Sequence, residues 1–233
     1  MKASWWWRFG VCCGLIVLAL PLDRLLDPPA ELRAALPAQA VVTDVGSVKA
    51  PVLERWHQWH GRFVASHPMA GTAEAGVEAG VGGLFAGRPW VATPAADTDP
   101  DALAEVEQLA QLVGAEWLCC EAAQHDRAVA LISHMPVLVS AALLEAAAGE
   151  ADTATAELAK QLASSGFADT SRIGGGNPAL GTLMARSNRE AVLTALGQYR
   201  QQLEGLEQLV QQERWGELEG RLSRCQGQRP EFL

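Results

Sequence analysis

The stretch AQAVVTDVGSVK, Ala38–Lys49, decides the fold. Ala38–Val42 reads as a buried strand, since a short valine-rich run suits a sheet covered on both faces. Gly46 and Ser47 follow directly. Glycine lets the backbone bend sharply and approach a ligand closely. A Gly-Ser turn at the carboxyl end of such a strand is where an open α/β sheet binds its ligand. A second stretch, SHPMAGT at Ser66–Thr72, again sets hydroxyls and an imidazole beside a glycine.

Outward from these stretches the pattern alternates. Leu15–Leu20 reads as a strand. Asp23–Leu36 has helical spacing, with Leu25, Leu26, Leu32 and Leu36 on one face. Ala50–Phe63 is helical, with Pro51 in the first turn, where its missing N–H costs little. Phe63–Ser66 is a short strand leading into His67, and Pro89–Thr93 is another, closed by Pro94. Asp99 caps a helix running to about Val113, and Glu116–Cys120 is the last strand candidate. Strands alternating with helices predict parallel βαβ units.

After Cys120 no strand pattern recurs. Asp126–Ala148 is apolar nearly all round, which predicts a helix buried on every side, with a second subunit as a cover. Pro136 within it predicts a kink or a start. Ala151–Ser164 is amphipathic with Gly166 as its C-cap; Asn188–Gln212 and Trp215–Arg224 are amphipathic too. The expected class is α/β followed by all-α. It divides into an atypical N-terminus (1–14), an α/β unit (15–120) and a helical unit (121–233).

At 233 residues, 49% apolar and 19% charged, the chain has the composition of a packed globular protein. Its net charge of −9 and the lack of a Lys/Arg cluster argue against nucleic acid as a partner. The cysteines are Cys12-Cys13, Cys119-Cys120 and Cys225. None has Cys-x-x-Cys spacing, so they read as reduced thiols in a cytoplasmic protein, with no metal implied. Lys2 and Arg8 precede the apolar run Phe9–Leu22. That run resembles a signal or anchor. It is shorter than the roughly 18–20 residues that span a bilayer, and the strand reading, ended by Pro21, is preferred.

Several residues can carry chemistry, each with a plainer alternative. Ser47 either meets a ligand or caps the helix that follows. His67, forced into an extended or turn conformation by Pro68, is a candidate base or a structural loop histidine. His125 and His134 lie by or on the apolar helix, where a histidine is commonly a hydrogen-bonded core residue. Arg172 precedes Gly174-Gly175-Gly176. It reads as a carboxylate clamp on a pliable loop, or as a surface charge on a hinge.

Taken in order, TDVGSVK, SHPMAGT, GRPWVATP, HDRAVALISHMPVLVSAALL and GFADTSRIGGGNPALG resemble the prephenate/arogenate dehydrogenase family, nearest the cyanobacterial and plant arogenate dehydrogenases. The resemblance runs from about Leu15 to Trp215. It implies an NAD(P)-binding Rossmann domain, here an incomplete parallel sheet, followed by a helical domain that forms a homodimer. The implied reaction is oxidative decarboxylation of a small cyclohexadienyl acid, with hydride passing to NADP, or alternatively NAD. By resemblance His67 takes the 4-hydroxyl proton, and Ser47 bonds that hydroxyl or orients the histidine. Arg172 grips a substrate carboxylate. Thr72 and His125 lie near the substrate, and Gly176 belongs to a loop brought by the partner subunit. Pro21 and Asp44 sit on loops lining the nicotinamide side. Some prephenate-preferring relatives carry a second histidine where this chain has Val137, which favours arogenate as the substrate.

The family's glycine fingerprint, Gly-x-Gly-x-x-Gly, belongs ahead of Leu15, where Met1–Gly14 has no strand–turn–helix pattern. Three readings stand: a start or frame other than the recorded one, a catalytically impaired remnant that retains the dimerising helices, or a membrane-anchored variant. The chain as written is expected to bind NADP weakly and to leave a sheet strand unpaired.

Overall fold

The computed structural model describes residues 14–71, 78 and 80–232. Thr72, Cys12 and Cys13 lie outside the described residues. The three described cysteines are free thiols.

β1 (Leu15–Leu18), β2 (Val41–Asp44) and β3 (Phe63–Val64) form a parallel sheet in that order, with Leu15 opposite Val41 and Val42 opposite Phe63. The chain bends at Ala65 into β4 (Ser66–Pro68), which joins β5 (Pro89–Ala92) and β6 (Glu116–Cys119). Thr93 N–H donates to the Ala65 carbonyl at 2.9 Å, tying the two ladders together. β5 and β6 are parallel, but β4 and β5 are antiparallel, with His67 opposite Val91. Apolar patterning marks a strand without marking its direction, so this one antiparallel pair was not legible.

Adjacent residues on a strand face opposite sides. Val42 therefore packs with Leu18, Leu25, Val48, Val52, Trp56 and Phe63, while Val41 packs with Val64, Ala92, Ala102 and Val106. The first face is covered by α1 (Leu22–Leu26) and α3 (Ala50–Trp59), the second by α4 (Pro100–Leu112). Each fully buried valine or leucine contributes on the order of 1.5–3 kcal/mol. The helix expected over Asp23–Leu36 is two pieces, α1 and α2 (Ala30–Ala35). Pro28 and Pro29 between them remove two donors and clash with a continuing helix. Asp99 caps α4 by accepting from Asp101 and Ala102 N–H at 2.9 and 3.3 Å. Gly114 then turns the chain at φ +76°, a conformation side chains disfavour.

The helical part opens with α5 (Ala122–Val129), a π-helical turn (Ala130–His134) and α6 (Met135–Ala148). These join into one 27-residue rod. Pro136 marks the start of α6, and the wide turn before it accommodates the proline's missing donor. By length and composition this rod could cross a membrane. Here it packs on α8 (Ser165–Ser171), α9 (Pro178–Ser187) and α10 (Arg189–Gln211). The expectation of burial on every side is not met within one chain. Leu131, Ile132 and Leu143 are 44%, 57% and 37% exposed. α7 (Thr153–Leu162) ends before Gly166, which lies inside α8 and is not a C-cap. α11 (Trp215–Gln228) folds back on α10.

The triple-glycine loop is pinned. A Cβ on Gly174 would stand 2.4 Å from Ala141 N and from Ser140 C, so only glycine lets the loop lie against α6. Ser140 Oγ accepts the Gly174 N–H at 2.8 Å and donates to the Thr170 carbonyl at 2.8 Å. The expected pliability is therefore absent at its first glycine.

Candidate active site

The parallel strands β1 and β2 end on the same side of the sheet, placing the exposed Pro21 and the turn Asp44–Ser47 at one edge. Ser66 and His67 follow the bend after β3 at that edge, since β3 runs parallel to β2. Ser66 locks the bend. Its hydroxyl donates to the Asp44 carbonyl at 2.8 Å and accepts from the Trp90 indole at 3.0 Å. Its N–H donates to Asp44 Oδ1 at 3.1 Å.

Asp44 is fully buried, and Gly46 N–H and the Lys49 ammonium both donate to its Oδ2. Lys49 is fully buried as well and donates to the Ser66 carbonyl at 2.7 Å. Burial pulls the Lys49 amine down from its ordinary value, opposed by the Asp44 carboxylate. A buried ion pair survives only when its remaining donors and acceptors are met, and this one is met by β4 backbone. The Asp44 carboxylate thus holds the turn together; the site's other contacts fall to the turn itself.

The first helix of the helical part closes the site from the opposite side. His67 Nδ1 stands 3.0 Å from His125 Nε2, and His125 Nδ1 stands 2.8 Å from Asp126 Oδ1. Asp126 Oδ1 also accepts Lys49 N–H at 2.7 Å, and its Oδ2 accepts Ala50 N–H at 2.9 Å. Asp126 therefore caps α3 from another element, where the helix dipole favours a negative charge. Asn188 donates to the Asp126 carbonyl at 2.7 Å and approaches His134 Nδ1 at 3.2 Å. His134 Nε2 is buried with no hydrogen-bond partner among the described residues.

Burial, then Lys49, His125 and His134, hold the His67 imidazole well below its ordinary value. Burial pushes His134 down to about 4, with Asp126 opposing and His125 assisting. His67 is therefore neutral at neutral pH and has a lone pair with which to accept a proton.

Of the residues singled out in the sequence, the fold joins His67 with His125 by a hydrogen bond and gathers Asp44, Ser47 and Pro21 at the same sheet edge. His125 is 3% exposed and bonded on both nitrogens, so its described contacts are protein groups rather than open space. Ser47 is half-buried in the turn. Arg172 is exposed at the end of α8 and Gly176 is exposed four residues on; neither is joined to His67 by a described hydrogen bond. Sequence reasoning passed over Lys49, Asp126 and Asn188. Two of them had a signal: Lys49 closes the strand–turn motif, and Asp126 is the direct neighbour of His125.

The sequence model for the prephenate dehydrogenase nucleotide-binding domain matches residues 11–119, and that for the dimerization domain matches residues 121–224. A crystal structure of Synechocystis arogenate dehydrogenase is 42% identical, covers 94% of this chain and 79% of its own, and superposes with a TM-score of 0.80. Prephenate dehydrogenase from A. aeolicus, solved with hydroxyphenyl propionate and NAD+, is 27% identical with a TM-score of 0.87, covering 94% and 77%. Among curated relatives, Bacillus subtilis prephenate dehydrogenase is 28% identical over 202 residues, covering 85% of this chain and 54% of that protein. Zymomonas mobilis cyclohexadienyl dehydrogenase is 28% identical over 187 residues, covering 79% and 64%. The chain spans little more than half the length of the first of these.

Proposed function

The chain belongs to the prephenate dehydrogenase family, and from that premise we propose that it serves in tyrosine biosynthesis as an arogenate or prephenate dehydrogenase. The observation that carries the reading is the neutral His67 at the carboxyl edge of the sheet, hydrogen-bonded across to His125. It puts a proton acceptor where an α/β sheet of this kind presents its ligand. The 42% identity to an arogenate dehydrogenase and the valine at position 137 support arogenate as the substrate.

His67 accepts the substrate's 4-hydroxyl proton as the hydride departs from the same ring carbon. The ring carboxylate leaves as carbon dioxide, its bonding pair enters the ring, and the resulting phenolate recovers a proton. Ser47, in the turn beyond β2, bonds the same hydroxyl. Arg172 holds a carboxylate of the substrate from a loop pinned to α6, and Gly176 reaches a second copy's site. A homodimer supplies that second copy and covers the exposed flank of the 27-residue rod. The free thiols at Cys119, Cys120 and Cys225 support a cytoplasmic enzyme.

A bound nicotinamide dinucleotide supplies the hydride acceptor, NADP by resemblance and NAD as the alternative. The described residues fit its nicotinamide side. Pro21 follows β1, and Gly46 keeps the turn after β2 tight, since a Cβ there would meet Asp44 Oδ2 at 2.9 Å. Because three donors occupy the Asp44 carboxylate, its contribution is the shape of that turn. The sequence holds no Gly-x-Gly-x-x-Gly fingerprint for the pyrophosphate.

The test is reduction of NADP+ and of NAD+, followed by absorbance, with arogenate and with prephenate. Because the sequence holds no pyrophosphate fingerprint, turnover with arogenate is expected only at high dinucleotide concentration, and replacing His67 by alanine should lower it by roughly 10²–10⁴-fold without unfolding the chain. Arg172→Ala should raise KM far more than it lowers kcat. Turnover unchanged in the His67 variant would overturn the assignment.

A further inference from the structure

We propose that His125 and Asp126 are positioning residues that hold the proton of His67 on Nδ1 and leave its Nε2 bare to accept the substrate proton. The inference rests on the proposed function only in naming what Nε2 accepts; the proton's location follows from this chain's own hydrogen bonds.

Asp126 fixes the first proton of the relay. Two backbone N–H groups, Lys49 at 2.7 Å and Ala50 at 2.9 Å, donate to its two carboxylate oxygens. A backbone amide can only donate, so the carboxylate is the acceptor on both sides. Oδ1 is also 2.8 Å from His125 Nδ1, which must therefore carry its hydrogen. The proposal assigns His125 its neutral form, in which Nε2 presents a lone pair. His67 Nδ1 is 3.0 Å away, and two lone pairs cannot face each other at that distance. The hydrogen between the rings belongs to His67 Nδ1, and its Nε2 has none.

Orientation follows as well. The rings meet edge to face, with planes 72° apart and centroids 5.2 Å apart. His67 sits on β4, whose bend Ser66 and Lys49 hold, and Asp126 sits on α5, held by its cap on α3. The relay thus spans the sheet and the first helix of the helical part. The titratable groups around His67 are Lys49, His125 and His134, all opposing a second positive charge, while Asp126 stands behind His125 as the one anion in the chain of bonds. When Nε2 gains a proton, the Nδ1–H bond to His125 becomes charge-assisted and strengthens. An aspartate holding a histidine in its productive tautomer is worth about 10⁴-fold in a serine protease.

The experiment is nitrogen-15 NMR of the histidine rings in the full chain without cofactor, with His67 assigned from a His67→Asn variant. The expected spectrum shows a protonated Nδ1 and a bare Nε2 at neutral pH. His125→Leu should free the His67 tautomer and lower kcat by roughly 10²–10⁴-fold with little change in KM. His125→Gln keeps an acceptor for Nδ1–H and should restore both the tautomer and much of the turnover. Asp126→Asn should move the His67 proton to Nε2; because it also weakens the α3 cap, the His125 pair carries the test if that variant fails to fold. A wild-type His67 with its proton on Nε2 overturns the proposal, as does a His125→Leu variant with unchanged tautomer and kcat. The expected tautomers in a chain that oxidises neither cyclohexadienyl acid would keep this inference and remove the proposed function.

Discussion

The two parts of the molecule solvate their residues in opposite ways. The sheet part buries charge: Asp44 and Lys49 are fully enclosed, and Asp126 reaches in to cap α3. The helical part leaves apolar surface outside, with Ile132 and Leu131 about half exposed on the same rod that carries His125 and His134. A buried charge network needs a fixed geometry, because each unmet donor or acceptor costs on the order of 1–3 kcal/mol. An exposed apolar flank needs only a cover of matching shape. The sheet part therefore supplies the proton acceptor, and the rod joins the groups that orient it to an apolar flank fit for association.

The contrast is sharpest at Lys49. Replacing it with methionine leaves Asp44 enclosed without its ammonium, and unfolding in urea should show a loss of about 3–5 kcal/mol. A loss below 1 kcal/mol would mean that the network is not as tightly closed as its hydrogen bonds indicate. Gly174→Ala tests the one tight backbone approach in the helical part. A Cβ at 2.4 Å from two backbone atoms of α6 should cost up to about 3 kcal/mol and displace Arg172, raising KM as well.

His134 gives a smaller, pH-dependent effect. Its imidazole is held at about 4 in the fold against an ordinary 6.5, so the unfolded chain binds the proton first. Stability is then fully present above pH 6.5 and is lost as pH falls toward about 4. Between pH 7 and pH 5 the loss should be on the order of 2 kcal/mol, and a His134→Asn variant should show a shallower slope. The smallest effect belongs to Ile132. With glutamate there, the stability of a single chain should change by no more than about 0.5 kcal/mol, while sedimentation should show the proposed dimer dissociating. An intact dimer would move the association surface elsewhere.

Element types were largely legible in sequence, because burial in a covered sheet demands apolar runs and the helices carry their spacing openly. Asp99 ahead of α4 and Pro51 at the start of α3 announced their ends for local reasons. Where two prolines interrupt Asp23–Leu36, local chemistry was present and apolar spacing masked it. Of the site, His67, Ser47 and the Gly46 turn were visible from their place after strands. Asn188 was not, and Asp126 was marked only by its neighbour His125, since their other partners are remote in sequence: Asp126 is 77 positions from Lys49.

What the sequence alone determined is local: which segments are strands, which are helices, and which polar side chains end up at a strand's carboxyl end. Hydrophobic period and turn chemistry act over a few residues, and they suffice for that. What only the tertiary structure decided is which polar groups meet. A lysine, two aspartates and two histidines share one set of hydrogen bonds because the sheet edge and the first helix of the rod close on each other. In that enclosed space every donor requires an acceptor, and that requirement, set by distance rather than by spacing along the chain, assigns the protons.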